Sequence, residues 1–228
     1  MTKDEFDKKG FMELEQMATK ARLPYILKAI NGEPTVIYTT YVGNSKGEPD
    51  SERIIATLEN AVRGKINPKT NKPYTTGLFY GDDKTGLEPF LNGEIDVLIA
   101  SRSVAEGMDG LQNVCHNLIL NGIPFTYAEL EQVVGRLDRE GQKSKTLNVH
   151  MIFARFDVQD KNGDWHEYEY DRKVKYDRID YKHQFANCVV EGRQPAKKEE
   201  LERMSKKQKL KLMRDAVGKV LKKIDDGE

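Results

Sequence analysis

Residues 96–100 read Asp-Val-Leu-Ile-Ala and are followed at once by Ser101 and Arg102. A short apolar run that does not alternate with polar residues is typical of a strand in a parallel sheet covered on both faces. We therefore predict a buried parallel strand here. Ligands of such sheets bind at the carboxyl ends of the strands. The residues just after Ala100 are thus the first place to look for chemistry.

Other strands and helices alternate on both sides of this strand. Apolar and β-branched runs predict strands at residues 35–42, 77–80, 118–120 and 147–153. Helical spacing of apolar residues predicts helices between them. This alternation predicts an α/β domain with a mainly parallel sheet and helices on both faces. Residues 64–76, which hold two prolines among lysines, are expected to form an exposed loop or insertion.

The chain divides into three predicted regions. Residues 1–32 form a helical lead-in, in which Pro24 is expected to open a second helix. Residues 33–192 form the α/β lobe with a closing helix over residues 171–190. Residues 193–228 hold 12 Lys/Arg and 7 Asp/Glu in a chain whose formal net charge is zero. They are expected to form a basic helical tail.

Composition excludes several classes of protein. No apolar stretch approaches the roughly 18 residues that a membrane span requires. The charged N-terminus lacks the apolar core of a secretion signal. We expect no membrane role and a cytoplasmic location. The two cysteines lie far apart in the sequence, without metal-ligand spacing, so reduced structural thiols are expected.

The most specific stretch is residues 132–142, Gln-Val-Val-Gly-Arg-Leu-Asp-Arg-Glu-Gly-Gln. It follows a helix start in which Thr126 is the predicted N-cap, Glu129 closes a capping box, and Phe125 with Leu130 forms a hydrophobic staple.

Within that helix, Gln132, Arg136 and Arg139 follow i, i+4, i+7 spacing, so they share one face. Two guanidinium groups presented together suit phosphate oxygens, because each donates several hydrogen bonds and stays charged. A solvated face with surface salt bridges is the alternative for any such pair of arginines.

Taken whole, Gln-x-x-Gly-Arg-x-x-Arg-x-Gly-Gln resembles the sixth helicase motif in the form typical of Swi/Snf-type ATPases. Residues 98–109 look like the fifth helicase motif, and residues 35–40 resemble the fourth. The resemblance covers roughly residues 20–192. It implies a RecA-like C-terminal lobe of a superfamily-two helicase or ATPase. Val104, Ala105 and Asp109 are more similar to the DEAD-box RNA helicase form, so an RNA helicase lobe stays an alternative.

The resemblance also implies roles for individual residues. The expected catalytic residues are Arg139, as an arginine finger, Arg136 and Gln132. The expected ATP-binding residues are Gly107, Asp109, Arg136 and Arg139. The expected nucleic-acid-binding residues are Ser101, Arg102, Thr39, Thr40 and Gly81.

The sequence contains no Gly-x-x-x-x-Gly-Lys-Ser/Thr phosphate loop and no Asp-Glu-x-His run for magnesium, and its Asp-Glu-x-Asp run, residues 4–7, has no phosphate loop before it. The family carries both in an N-terminal RecA-like lobe. We therefore expect that lobe as the partner, with ATP and with Mg²⁺ held by the partner lobe, and we expect the isolated chain to be inactive. Nucleic acid is the other expected partner, with DNA favoured over RNA. A non-catalytic nucleic-acid-binding or interaction module with the same fold remains the alternative from another class.

Overall fold

The computed structural model describes residues 1–43, 47, 49–81, 83–102 and 109–190. The chain forms two compact units, of which the first is Met1–Tyr176 and the second begins at Asp177. Within the described ranges, no helix is both long enough and apolar enough to cross a membrane.

Five parallel strands form the main sheet of the first unit, in the order β4-β5-β1-β6-β7. Their bounds are β1 Thr35–Thr39, β4 Thr76–Phe79, β5 Val97–Ala100, β6 Asn117–Asn121 and β7 Asn148–Met151. The predicted α/β class and all five predicted strands are confirmed. Two short hairpins, β2 (Ile66–Asn67) with β3 (Lys72–Pro73) and β8 (Phe156–Gln159) with β9 (Trp165–Tyr168), lie outside this sheet.

The strand β1 is central and pairs with β5 on one side and β6 on the other, so that Thr35 lies beside both Val97 and Asn117. Every residue of β1, β5 and β6 is buried. That burial explains their uninterrupted apolar runs. The strand β1 ends at Thr39, earlier than predicted, because the carbonyls of Val42 and Gly43 accept hydrogen bonds from the N-terminus of the helix at residues 54–63.

Helices cover both faces of the sheet. They are α2 Phe11–Ala29, α3 Ile54–Arg63, α4 Leu87–Leu91, α5 Leu111–Val114 and α6 Tyr127–Gly135, whereas α1, Lys3–Lys8, packs through Phe6 on the β8-β9 hairpin. Alternate residues of β1 point to opposite faces. Val36 and Tyr38 join the core beneath α4, α5 and α6. Ile37 joins the core beneath α2 and α3.

The N-terminal lead-in differs from the prediction at Pro24. Pro24 lies inside α2, which runs unbroken from Phe11 to Ala29, and opens no second helix. Burial on one side explains why the helix tolerates it: Ala18, Arg22 and Ile26 are almost fully buried. Tertiary packing therefore outweighs the local cost of proline in a helix interior.

Residues 64–76 are also more ordered than predicted, because the β2-β3 hairpin leads into a buried Tyr74. The ammonium group of Lys65 donates hydrogen bonds to the carbonyls of Leu27 and Ile30 at the end of α2. Burial lowers the pKa of Lys65. Lys69 pairs with Glu33. Two of the lysines in this segment thus have partners within the lobe.

The predicted closing helix begins as a π-helical turn, Arg172–Tyr176, and continues in the second unit as α7, Asp177–Val190. The predicted basic tail, residues 193–228, lies outside the described residues.

Candidate nucleotide and nucleic-acid site

Three of the predicted site residues meet on the surface of the first unit. Nη1 of Arg139 donates a hydrogen bond of 2.8 Å to Oδ1 of Asp109. Nη1 of Arg136 lies 3.7 Å from the same oxygen. The side chains stay accessible, since Asp109 is 82% exposed and the arginines are 25% and 42% exposed. Two motifs that are separate in sequence therefore form one charged site.

The helix that carries this site is shorter than predicted. It ends at Gly135, Arg136 is the C-cap, and Arg139 lies in the turn beyond. The prediction that one continuous helix presents Gln132, Arg136 and Arg139 is therefore wrong. Only Gln132 lies within the helix, where it is exposed.

Gln142 explains why the chain turns here. Its side-chain amide donates hydrogen bonds to the carbonyls of Leu137 and Cys115 at 2.9 and 3.0 Å. In a continuing helix the Leu137 carbonyl would accept a hydrogen bond from a backbone amide; here it accepts one from the Gln142 side chain instead. Gly141, with φ near +95°, allows the chain to reverse. The Gly-Gln end of the motif thus folds the turn that holds Arg139.

The start of α6 is built differently from the predicted capping box. The Thr126 hydroxyl accepts a hydrogen bond from the Glu129 amide, as predicted for an N-cap. The Glu129 carboxylate accepts hydrogen bonds from the Tyr38 hydroxyl at 2.6 Å and from Nε of Arg102 at 3.3 Å. Burial, together with this bond to Glu129, raises the pKa of Tyr38. Glu129 therefore ties β1 and the end of β5 to α6.

The predicted staple residue Phe125 is 49% exposed. Its ring packs with those of Phe11 and Tyr41.

Ser101 and Arg102 follow β5 at the carboxyl edge of the sheet, where ligands of parallel sheets bind. Ser101 is 7% exposed, and its amide donates to the carbonyl of Phe79 at 3.0 Å. The Arg102 side chain is 58% exposed, and its guanidinium carbon lies 5.8 Å from the ring centre of Phe125. Arg102 is therefore the accessible member of this pair.

Of the remaining predicted nucleic-acid contacts, Thr39 and Thr40 are buried and Gly81 is exposed. Thr39 is 1% exposed, and its hydroxyl donates to the carbonyl of Tyr41 and accepts from the amide of Asn121. The prediction that Thr39 offers its hydroxyl to a nucleic acid does not fit this burial. Thr40 is 7% exposed, and Gly81 adopts φ near +50° in the turn after β4. Gly107 lies outside the described residues.

A buried ionic network adjoins Thr39, and the sequence patterns did not indicate it. Arg22 of α2 donates to both oxygens of Asp171 at 2.5–2.9 Å and to Asn121 at 3.3 Å. Lys175 pairs with Glu15 and, at 3.2 Å, with Asp171.

All four charged groups of this network are less than 10% exposed. The Tyr170 hydroxyl also donates to Glu15, and burial together with that bond raises the pKa of Tyr170. A buried charge is tolerated only with such partners. The network therefore joins α2 to the polypeptide that follows the sheet.

No protein-family model matches the sequence. A curated chloroplast and mitochondrial protein of Arabidopsis thaliana, the ATP-dependent DNA helicase homologue RecG1, is 29% identical over 114 residues. The match covers 50% of this chain and 12% of that protein. The chain has a RecA-like α/β fold, and half of it is similar in sequence to part of a helicase homologue.

Several solved structures are similar to this chain at low sequence identity. The C-terminal part of the Fun30 ATPase domain has a TM-score of 0.44 at 15% identity, over 72% of this chain and 54% of that chain. The Pyrococcus furiosus Hef helicase domain has a TM-score of 0.35 at 16% identity, over 64% and 25%. Saccharomyces cerevisiae Dbp5 bound to RNA and ADP BeF3 has a TM-score of 0.38 at 16% identity, over 60% and 32%.

Among the residues that the structure describes, no group of three or more His, Cys, Asp or Glu side chains is arranged to hold a metal ion. The donor set around Asp109 consists of two guanidinium groups and one carboxylate. Guanidinium groups bind phosphate oxygens, and a carboxylate accepts hydrogen bonds from hydroxyl groups. These residues therefore fit the phosphate and ribose parts of a nucleotide.

Proposed function

We propose that this chain is the C-terminal half of an ATP-dependent nucleic-acid translocase or helicase of the Swi/Snf type. The observation that carries the proposal is the convergence of Arg139 and Arg136 on Asp109. These residues come from the two segments that resemble the fifth and sixth helicase motifs. Surface ion pairs are common, but the pairing of these particular segments supports a nucleotide site shared between two lobes.

Each residue has a proposed role. Arg136 and Arg139 contact the γ-phosphate, Asp109 accepts hydrogen bonds from the ribose hydroxyls, and Gln132 completes the catalytic set. The phosphate loop and the Mg²⁺ ligands come from the N-terminal lobe. When bound, Mg²⁺·ATP supplies the phosphoryl group and its metal-neutralised charge. The arginines of this lobe offset the charge that develops during transfer.

Nucleic acid is proposed to bind at Ser101 and Arg102, on the carboxyl edge of the sheet. Arg102 shares the Glu129 carboxylate with Tyr38, and Glu129 lies in the first turn of α6, the helix that precedes the arginines. A phosphate that binds Arg102 competes with Glu129. Strand binding is thereby linked to the position of α6 and of the arginines beyond it. DNA is favoured as the polymer, and RNA is the other outcome of the test.

The test compares the lobe alone with the lobe joined to an N-terminal lobe that carries a phosphate loop. We expect residues 1–228 alone to hydrolyse no ATP, with or without nucleic acid. We expect the joined enzyme to hydrolyse ATP, with stimulation measured in parallel for duplex DNA, single-stranded DNA and RNA. Appreciable turnover by residues 1–228 that survives Arg139→Ala contradicts the half-site proposal.

A further inference from the structure

Three aromatic rings from separate elements form one surface, which we call the aromatic surface: Phe11 at the start of α2, Tyr41 after β1, and Phe125 before α6. The Tyr41 ring centre lies 5.0 Å from Phe11 and 5.6 Å from Phe125, and the rings of Phe11 and Phe125 are 6.3 Å apart. Phe11 is 45% exposed and Phe125 is 49% exposed. Large apolar side chains that pack together and still face solvent are a candidate binding surface.

Two cations border the aromatic surface. The guanidinium group of Arg102 lies over the Phe125 ring at 5.8 Å. The Lys175 ammonium lies 6.0 Å from the ring centre of Phe11 and 5.9 Å from that of Tyr41. Lys175 is buried and paired with Glu15 and Asp171, whereas Arg102 is open to solvent. Arg102 is therefore the cation that an incoming ligand meets.

Position connects the aromatic surface to the sheet edge. Tyr41 follows β1, Arg102 follows β5, and Phe125 follows β6, so all three lie beyond the carboxyl ends of neighbouring parallel strands. Aromatic side chains beside a cationic group are the combination that binds single-stranded nucleic acid, because bases stack on the rings and phosphates pair with the cation. Duplex DNA keeps its bases stacked on one another and cannot use the rings in this way.

We propose that the aromatic surface stacks an unpaired base of a single-stranded nucleic acid whose phosphate is held by Arg102. This inference rests on the proposed function and adds to it a preference for single strands. Phe11 and Phe125 supply the exposed ring surface, and Tyr41 packs edge-on against both of them. The aromatic surface does not distinguish one base from another, since every base has a face that can stack.

The experiment measures fluorescence anisotropy of residues 1–228 with three labelled 20-nucleotide probes at low salt. The probes are oligothymidylate, an oligomer of abasic sites with the same number of phosphates, and a duplex. The variants are Phe11→Leu and Phe125→Leu, which keep apolar volume and remove the ring. Tyr25→Ala is the matched control, because Tyr25 is 64% exposed on the same helix and lies about 21 Å along it from Phe11.

We expect each leucine variant to weaken oligothymidylate binding by about 5- to 100-fold, the range that loss of one base stack gives. Binding of the abasic probe and of the duplex should stay unchanged, as should all binding by Tyr25→Ala. Arg102→Ala should weaken binding of all three probes, because it removes a phosphate contact.

Two results overturn the inference in different ways. If both leucine variants bind oligothymidylate as tightly as the parent while Arg102→Ala still weakens it, the aromatic surface serves another occupant, such as the partner lobe, and the proposed function survives. If the parent chain binds none of the three probes, the proposed nucleic-acid function fails, and the stacking site fails with it.

Discussion

The carboxylate of Asp109 accepts a 2.8 Å hydrogen bond from Nη1 of Arg139, although the two residues are 30 positions apart. Asp109 precedes α5, and Arg139 lies in the turn after α6. The hydrogen bond therefore joins two segments that are distant in sequence and that each resemble a different helicase motif. The proposed nucleotide site lies at this contact.

Arg139→Ala should reduce turnover much more than it changes the affinity for ATP. Its guanidinium is proposed to offset charge that develops only as the phosphoryl group transfers, and such contacts raise kcat. Arginine fingers contribute on the order of 10³ to 10⁵ in rate, or roughly 4 to 7 kcal/mol of barrier. The measurement is kcat and KM of the joined two-lobe enzyme with saturating nucleic acid.

Two further variants sharpen that experiment. Arg139→Lys should rescue poorly, because an ammonium lacks the planar fork of a guanidinium. Arg155→Ala removes another exposed arginine, which pairs with Glu167, and should leave both constants unchanged. Near-normal kcat with a raised KM in Arg139→Ala would assign the finger to another residue.

Asp109→Ala should mainly raise KM for ATP. A ribose contact is made equally in the ground state and the transition state, so its loss weakens binding without slowing the chemical step. Asp138→Ala is the matched control, because it removes an exposed carboxylate from the turn that also holds Arg136 and Arg139. Steady-state kinetics at several ATP concentrations separate the two constants. A large loss of kcat at saturating ATP would show that Asp109 positions the arginines and does more than bind ribose.

Asp171→Ala should destabilise the fold strongly. Asp171 is fully buried and receives hydrogen bonds from Arg22 and Lys175. Removing one partner of a buried network leaves uncompensated charge and costs about 3–5 kcal/mol. Urea denaturation followed by circular dichroism gives the free energy of unfolding.

The control for Asp171 is Glu167→Ala, which breaks a surface pair with Arg155 whose side chains are 59% and 64% exposed. An exposed pair contributes at most about 1 kcal/mol. Equal losses in the two variants would contradict the assignment of the buried network as a stabilising feature that depends on every partner.

Cys115 should react slowly in the folded protein. Burial raises the pKa of its thiol from the ordinary 9.0 to about 11, and the thiol donates to the carbonyls of Pro34 and Asn117. At pH 8 the folded chain should hold about 100-fold less thiolate than the unfolded chain, and the thiolate is the reactive form. The measurement is iodoacetamide labelling in a Cys188→Ser background, with and without urea.

The same shift in pKa makes stability depend on pH. Because folding favours the protonated thiol, the contribution of Cys115 to the free energy of unfolding is complete below pH 9. It is lost as the pH rises from 9 towards 11. If iodoacetamide labels Cys115 in the native chain as fast as in the unfolded chain, the thiol is accessible in the fold and the prediction of slow reaction is wrong.

Two glycine substitutions should differ in their effect on stability. A Cβ on Gly86 would lie 2.4 Å from the Leu78 amide nitrogen and 2.6 Å from the carbonyl carbon of Gly77. Gly86→Ala should therefore cost about 1–3 kcal/mol or more through overpacking. A Cβ on Gly135, the last residue of α6, meets no atom within 4 Å. Gly135→Ala should leave stability unchanged or raise it by up to about 1 kcal/mol. Thermal unfolding of both variants tests the contrast.

The sequence by itself predicted the architecture well because the sheet obeys local rules. The apolar run at residues 97–100 is an interior strand, and Thr126 caps the helix predicted to follow it. The contact between Asp109 and Arg139 brings together two residues that the motifs marked as ATP-binding, a role that stays a prediction. Periodicity, helix caps and motifs depend on residues that are close in sequence, so each can be recognised without knowledge of the rest of the fold.

Only the tertiary structure decided which polar groups are buried and where the arginine helix ends. Arg22 and Asp171 lie 149 positions apart, and nothing local to either marks it as half of a buried ion pair. Pro24 stays inside α2 because packing outweighs its cost, and α6 stops at Gly135 because Gln142 folds back onto a carbonyl beyond it. Thr39, which the resemblance to the fourth motif predicted as a nucleic-acid contact, is buried and accepts a hydrogen bond from Asn121. In each case a partner distant in sequence determines the solvation of the group, and solvation is a property of the assembled fold.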